Sequence, residues 1–140
     1  MIAADFPALF ASGWAMPKPE PFLDFFLPII DPEATFTQPM FPDAHGRAEI
    51  EAMFRRLFAL FPDVVVTPHR SAVSDDVVFI ESEGVASLRT RPVRFWVCDR
   101  FVMRGGQIVE RKSYSEVAPL VRAIARSPLS WPRLVRSRVG

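Results

Sequence analysis

The sequence of 140 residues predicts an α+β fold. Two observations carry this. Through Pro62 the apolar residues recur at helical spacing, and after Pro62 the period changes to two. Four alternating runs then follow one another with only turn residues between them, which is an antiparallel meander. Helices first and strands afterwards is the order of an α+β domain.

The elements follow in turn. "ADFPALFASGW" starts a short helix, with Asp5 as N-cap and Pro7 tolerated in the first turn. "PKPEPFLDFFLPIIDP" holds a second short helix bounded by prolines, in which Phe22, Phe25, Phe26 and Ile29 share a face. "EATFTQP" reads as a strand. "GRAEIEAMFRRLFALFP" is the clearest helix: Ile50, Met53, Phe54, Leu57, Phe58 and Phe61 repeat at i, i+3, i+4 and i+7. The meander consists of "DVVVTPHRSAV", "DVVFIESEGVASL", "PVRFWVCDRFVM" and "QIVERKSYSEV". Its turns fall at Asp75-Asp76, near Thr90-Arg91 and at Gly105-Gly106. "APLVRAIAR" makes a last short helix, and residues 127–140 form a basic, proline-containing tail expected to pack on the domain or on a partner subunit.

Composition narrows the function classes. Apolar residues make up 49% and charged residues 24%, with a net charge of +1, so the domain as a whole has no call for a polyanionic partner. Nucleic-acid binding is not expected. The single cysteine, Cys98, cannot form an internal disulfide, which points to a reduced, cytoplasmic setting. No apolar run reaches the ~18 residues of a membrane helix, and the start lacks the pattern of a secretory signal, so no membrane role is expected. Thirteen phenylalanines and three tryptophans are more aromatic mass than one small core needs. The surplus suits a ligand cavity or a subunit interface.

Three stretches carry a resemblance: "IIDPEATFTQP", "GRAEIEAMFRRLFALFPDVVV" and "DRFVMRGGQIVERKSYSE". Their order and motifs resemble the SnoaL-like (polyketide cyclase-like) branch of the nuclear transport factor 2-like superfamily, over roughly residues 4 to 126. That resemblance implies a cone: a curved antiparallel sheet with three or four helices closing a pocket. The same cone serves cyclases, isomerases, epoxide hydrolases and proteins without catalysis, so function rests on the site.

With Gly105-Gly106 as a two-residue turn, Asp99 pairs with Lys112 and Val97 with Tyr114. Phe95, Val97, Asp99, Phe101, Lys112, Tyr114 and Glu116 then share one face, which the resemblance makes the pocket face. Arg111 falls on the opposite face. Extending the ladder sets His69, Ser82, Asp99 and Lys112 in one row.

Asp99 matches the position where the superfamily's ketosteroid isomerases keep a neutral acid that donates to an oxyanion; a structural pair with Lys112 is the alternative. Gln38 stands where those isomerases have their proton-moving aspartate. An amide cannot be a base, so it either orients a substrate oxygen or bonds nearby backbone. Tyr114 and Glu116 match the family's "Y-x-D" ending. Glu116 and His69 are candidates for moving a proton, against exposed helix-start and structural readings.

Phe22, Phe26, Phe54, Phe58, Phe95, Val97 and Phe101 are expected to line a cavity of about 300–1,000 Å³. The expected function is cofactor-free proton-transfer chemistry, such as cyclisation, isomerisation or hydration, on a small apolar cyclic molecule. A non-catalytic binding or dimerisation module is the alternative. No metal-ligand spacing occurs, so no metal is expected. The apolar outer face around Trp96, Cys98 and Val102 predicts a homodimer.

Overall fold

Short aromatic-rich helices lie over one face of a curled six-stranded sheet. The computed structural model describes residues 1–88 and 91–126; the basic tail lies outside the described residues. Helices α1 (Phe6–Trp14) and α2 (Glu20–Phe26) come first. Strand β1 (Ile30–Thr37), the two-residue β2 (Ala44–His45) and helix α3 (Gly46–Leu60) follow. The meander is β3 (Val65–Ser74), β4 (Val77–Leu88), β5 (Arg91–Arg104) and β6 (Gln107–Ser115), and α4 (Ala118–Ala125) closes the described chain.

The strand order is β2-β1-β6-β5-β4-β3. The meander is antiparallel throughout, as its period and turns predict. β1 joins β6 in parallel, which makes the sheet mixed. β2, α3 and the first three meander strands separate β1 from β6, and only such a long connection can bring the chain back in the same direction. At the N-terminus, Asp5 does not cap α1. A 3-10 turn over Ala3–Asp5 precedes the helix, and the Asp5 carboxylate accepts the Ile2 N–H at 2.9 Å instead.

The rings assigned to the helix faces meet β5 in one core. Phe22 touches Phe26 and Trp14 at centroid distances of 4.7 Å, and Phe6 packs edge-on to Phe101 at 4.7 Å. Such edge-to-face pairs add to the area buried. Ile50, Met53, Phe54 and Phe58 turn the apolar stripe of α3 into the same core.

The pairing departs from the expected register at three places, and at two of them the side chains facing that core change as well. The Gly105-Gly106 turn has the expected two residues, both at positive φ (58° and 77°), the geometry that glycine adopts without strain. It pairs Met103 with Ile108. The next pair is Val102 with Glu110, so Val109 is an extra residue in β6, a β-bulge. Beyond it Asp99 pairs with Ser113 rather than Lys112, and Val97 with Ser115 rather than Tyr114. A one-residue offset exchanges the two faces of a strand. Arg111, Ser113 and Ser115 therefore join the concave face, while Lys112 and Tyr114 point out.

The second difference is at the β4–β5 turn. Leu88 pairs with Arg91, one residue earlier than a turn at Thr90-Arg91 requires, so Asp99 lies beside Ile80 and Ser82 beside Val97. The third is at Pro68, which has no N–H for the ladder. Pairing shifts between Pro68 and Arg70, and His69 drops out of the expected row. Its exposed ring packs edge-on against Trp96 at 5.1 Å on the outer face.

Candidate functional site

The bulge at Val109 delivers a cation to the carboxylate. Arg111 Nε donates to Asp99 Oδ1 at 3.2 Å, with only 14% and 6% of the two side chains exposed. Arg111 Nη1 donates to Gln38 Oε1 at 3.1 Å. The Gln38 amide in turn donates to the Pro42 carbonyl at 2.8 Å, which ties the chain after β1 to this row. The guanidinium also lies over the Phe36 ring, 5.2 Å from its centroid. Phe36 and Arg111 are register partners across the parallel β1–β6 pair, so the stacking follows from the strand alignment. Three contacts thus hold one guanidinium in a mostly apolar wall.

Two cavities meet at this pair. An inner one of about 30 Å³ lies among Phe22, Phe26, Phe36 and Phe101. An outer one of about 100 Å³ is bounded by Phe95, Val97, Gln38, Ser113, Ser115 and Leu120. Trp14, Phe54, Asp99 and Arg111 border both. The free space is less than the expected cavity, because aromatic rings from α1 and α2 reach into it. Phe58 lines neither part; it packs on Phe22 at 5.0 Å and is core. The outer cavity suits a compact molecule of about one ring.

Of the candidates read from sequence, Asp99, Gln38, Phe22, Phe26, Phe54, Phe95, Val97 and Phe101 come together here. Lys112, Tyr114, Glu116 and His69 do not. The Lys112 ammonium sits over the Tyr114 ring at 5.1 Å on the outer face, where Tyr114 is 49% exposed. Glu116 Oε1 accepts the Trp96 N–H at 2.9 Å and ends the β5–β6 ladder. Cys98 is also on the outer face, and burial, with the nearby Asp99 and Glu81 charges, pushes its thiol pKa up. Among the described residues no three His, Cys, Asp or Glu side chains converge as a metal site needs.

Arg111 is the residue the sequence reading missed. Nothing marks Val109 as a bulge, since no glycine or proline adjoins it. The small Ser113 and Ser115, against bulky Lys112 and Tyr114, are the one hint of which set faces inward.

The SnoaL-like domain model matches residues 19–111, about two thirds of the chain. The chain belongs to the SnoaL-like domain family. Solved structures share the SnoaL-like architecture at low identity. A SnoaL-like polyketide cyclase candidate from Jannaschia sp. CCS1 superposes with a TM-score of 0.75 and 18% identity, over 87% of this chain and 90% of that one. A ketosteroid isomerase-like protein from Catenulispora acidiphila, in complex with trimethylamine, gives 0.73 and 17% over 85% and 91%. An LEH-like epoxide hydrolase from M. tuberculosis gives 0.65 and 20% over 89% and 92%. At these identities the likeness carries the fold. No curated protein matches the chain. No helix of the described residues is long and apolar enough to cross a membrane.

Proposed function

We propose that this SnoaL-like domain binds a compact apolar ring compound bearing a carbonyl or acidic oxygen and moves a proton on it without a cofactor. The observation that carries the reading is the Asp99–Arg111 pair, enclosed by side chains and placed where two apolar cavities join. Asp99 accepts from Arg111, so its role is that of proton acceptor rather than the neutral donor expected from the isomerase resemblance. Removing a proton beside a carbonyl leaves an enolate. Arg111, held by Gln38 and Phe36, opposes that charge in a wall of low polarity, where a fixed cation acts strongly. Asp99 then returns the proton at another atom. Isomerisation and cyclisation both begin with this step. Gln38 positions Arg111 and does not itself move a proton.

A second reading, a binding module without catalysis, is favoured by the way Asp99, Arg111 and Gln38 satisfy one another. The two are separated with simple probes. Benzoate, a single ring with an anionic head, is titrated by NMR, and Arg111→Met is expected to weaken it about tenfold. His69→Ala and Glu116→Gln, on the outer face, leave it unchanged. Deuterium exchange of 2-indanone in D2O reads the proton step. Acceleration by the wild type that is lost in Asp99→Asn supports catalysis. Benzoate binding without acceleration leaves the binding module, and no benzoate binding removes both.

The same reading includes a second copy of the chain on the outer sheet face, in a cytoplasmic setting. There Trp96 and Phe79 are 41% and 39% exposed, amid Glu81, Glu83 and Lys112. Apolar rings among charges of both signs suit a two-fold contact.

A further inference from the structure

At the far end of β5 a second cleft has a different chemistry. Arg91 and Arg94 from the start of β5, Arg122 from α4 and Arg126 at its C-terminal cap line a space of about 280 Å³. Its floor is apolar: Pro92, Val93, Pro119 and Ala123. Pro119, Arg122, Ala123 and Arg126 fall at i, i+3, i+4 and i+7, so one stripe of α4 faces the strand. The opposite stripe, with Leu120, is buried toward the main cavity. Arg94 is held by Glu83 at 2.9 Å. The ion pairs among the described residues include none for Arg91, Arg122 or Arg126, and all three are exposed.

This concentration of charge is local. The whole chain carries a net +1, yet four guanidiniums line this cleft and a carboxylate pairs with one of them. Like charges so placed repel within a Debye length of about 8 Å at physiological salt, and an anion between them removes that cost. Arginine presents a planar fork that matches phosphate oxygens two at a time. Residues 127–140 add Arg133, Arg136 and Arg138 and no acidic side chain.

We propose that this cleft is a binding site for a phosphate-bearing polyanion, with Arg122 and Arg126 as its principal contacts and Arg91 opposite them. It is independent of the proton-transfer reading, since none of its arginines borders the Asp99 cavity.

The test is calorimetric titration of the full chain with pyrophosphate at low salt, beside co-sedimentation with phosphatidic-acid vesicles. Saturable binding that falls at least about tenfold in Arg122→Glu/Arg126→Glu is the expected result. A charge-matched control, Arg70→Glu/Arg104→Glu, alters two exposed arginines elsewhere and keeps the affinity within about threefold. If the reversed pair melts early, Arg122→Gln/Arg126→Gln replaces it and is expected to show a loss of the same sign. Pyrophosphate binding marks a soluble phosphorylated ligand. Vesicle binding alone, lost in the same variant, marks a lipid headgroup with the same phosphate chemistry. Absence of both, or an equal loss in the control, overturns the proposal.

Discussion

Arg111→Met removes the cation from the Asp99 row while keeping an unbranched side chain in its place. The carboxylate then stays behind, 6% exposed, with its guanidinium partner gone. Breaking a buried pair from one side costs about 3–5 kcal/mol. Loss of the Gln38 hydrogen bond adds about 1 kcal/mol, and loss of the Phe36 contact about 0.5–1. Against this, Arg111 is 14% exposed and the carboxylate borders a cavity that admits water, so the low end applies. The expected loss is about 3 kcal/mol, or roughly 10 °C in Tm for a domain of this size. Asp99→Leu costs less, about 2 kcal/mol, because Arg111 keeps Gln38 and Phe36. The double variant Asp99→Leu/Arg111→Met replaces the pair with apolar groups and is expected within about 1 kcal/mol of wild type. Urea unfolding followed by tryptophan fluorescence measures all three, with Trp14 in the core as reporter. A single variant Arg111→Met costing under about 1 kcal/mol, or a double variant no better than the singles, would refute the enclosed pair.

Gly84 backs directly onto Phe95, and a Cβ there would meet the ring at 2.4 Å. Gly84→Ala is expected to push Phe95 into the outer cavity, weakening benzoate severalfold for a stability cost of about 1 kcal/mol; unchanged benzoate affinity would count against the cavity's wall. Asp63 is held below the usual carboxylate range by the Ser87 hydroxyl and backbone N–H, the latter at 3.0 Å. A depressed folded pKa gives stability that is present above the unfolded value of about 3.9 and is lost as pH falls through the folded value. Asp63→Asn should therefore destabilise at pH 7 and converge with wild type as pH falls below the folded value, and parallel curves would sink the linkage. Trp96→Arg places a cation in the outer sheet face, and light scattering is expected to show a dimer in wild type and a monomer in the variant. A monomeric wild type would remove the interface.

The sequence by itself determined the class and order of elements. Helical spacing in α3 and period two after Pro62 depend on neighbours in the chain, and both survive in the fold. So do the Asp75-Asp76 and Gly105-Gly106 turns, where chain direction reverses through residues at positive φ at three of the four positions. Asp99 faces the core as its flanking Val97 and Phe101 indicate, because alternation is local and β5 has no irregularity next to it. What sits beside Asp99 was decided elsewhere. Register accumulates along a strand, so one bulged residue at Val109 exchanged Lys112 and Tyr114 for Arg111 and Ser113. Pairing of β6 with β1, separated by more than 70 residues in the chain, fixes Arg111 over Phe36 and within reach of Gln38. No local propensity records that contact. The strand faces were written in the sequence, and the partners across them came from long-range pairing, where a shift of a single residue reverses which charge is buried.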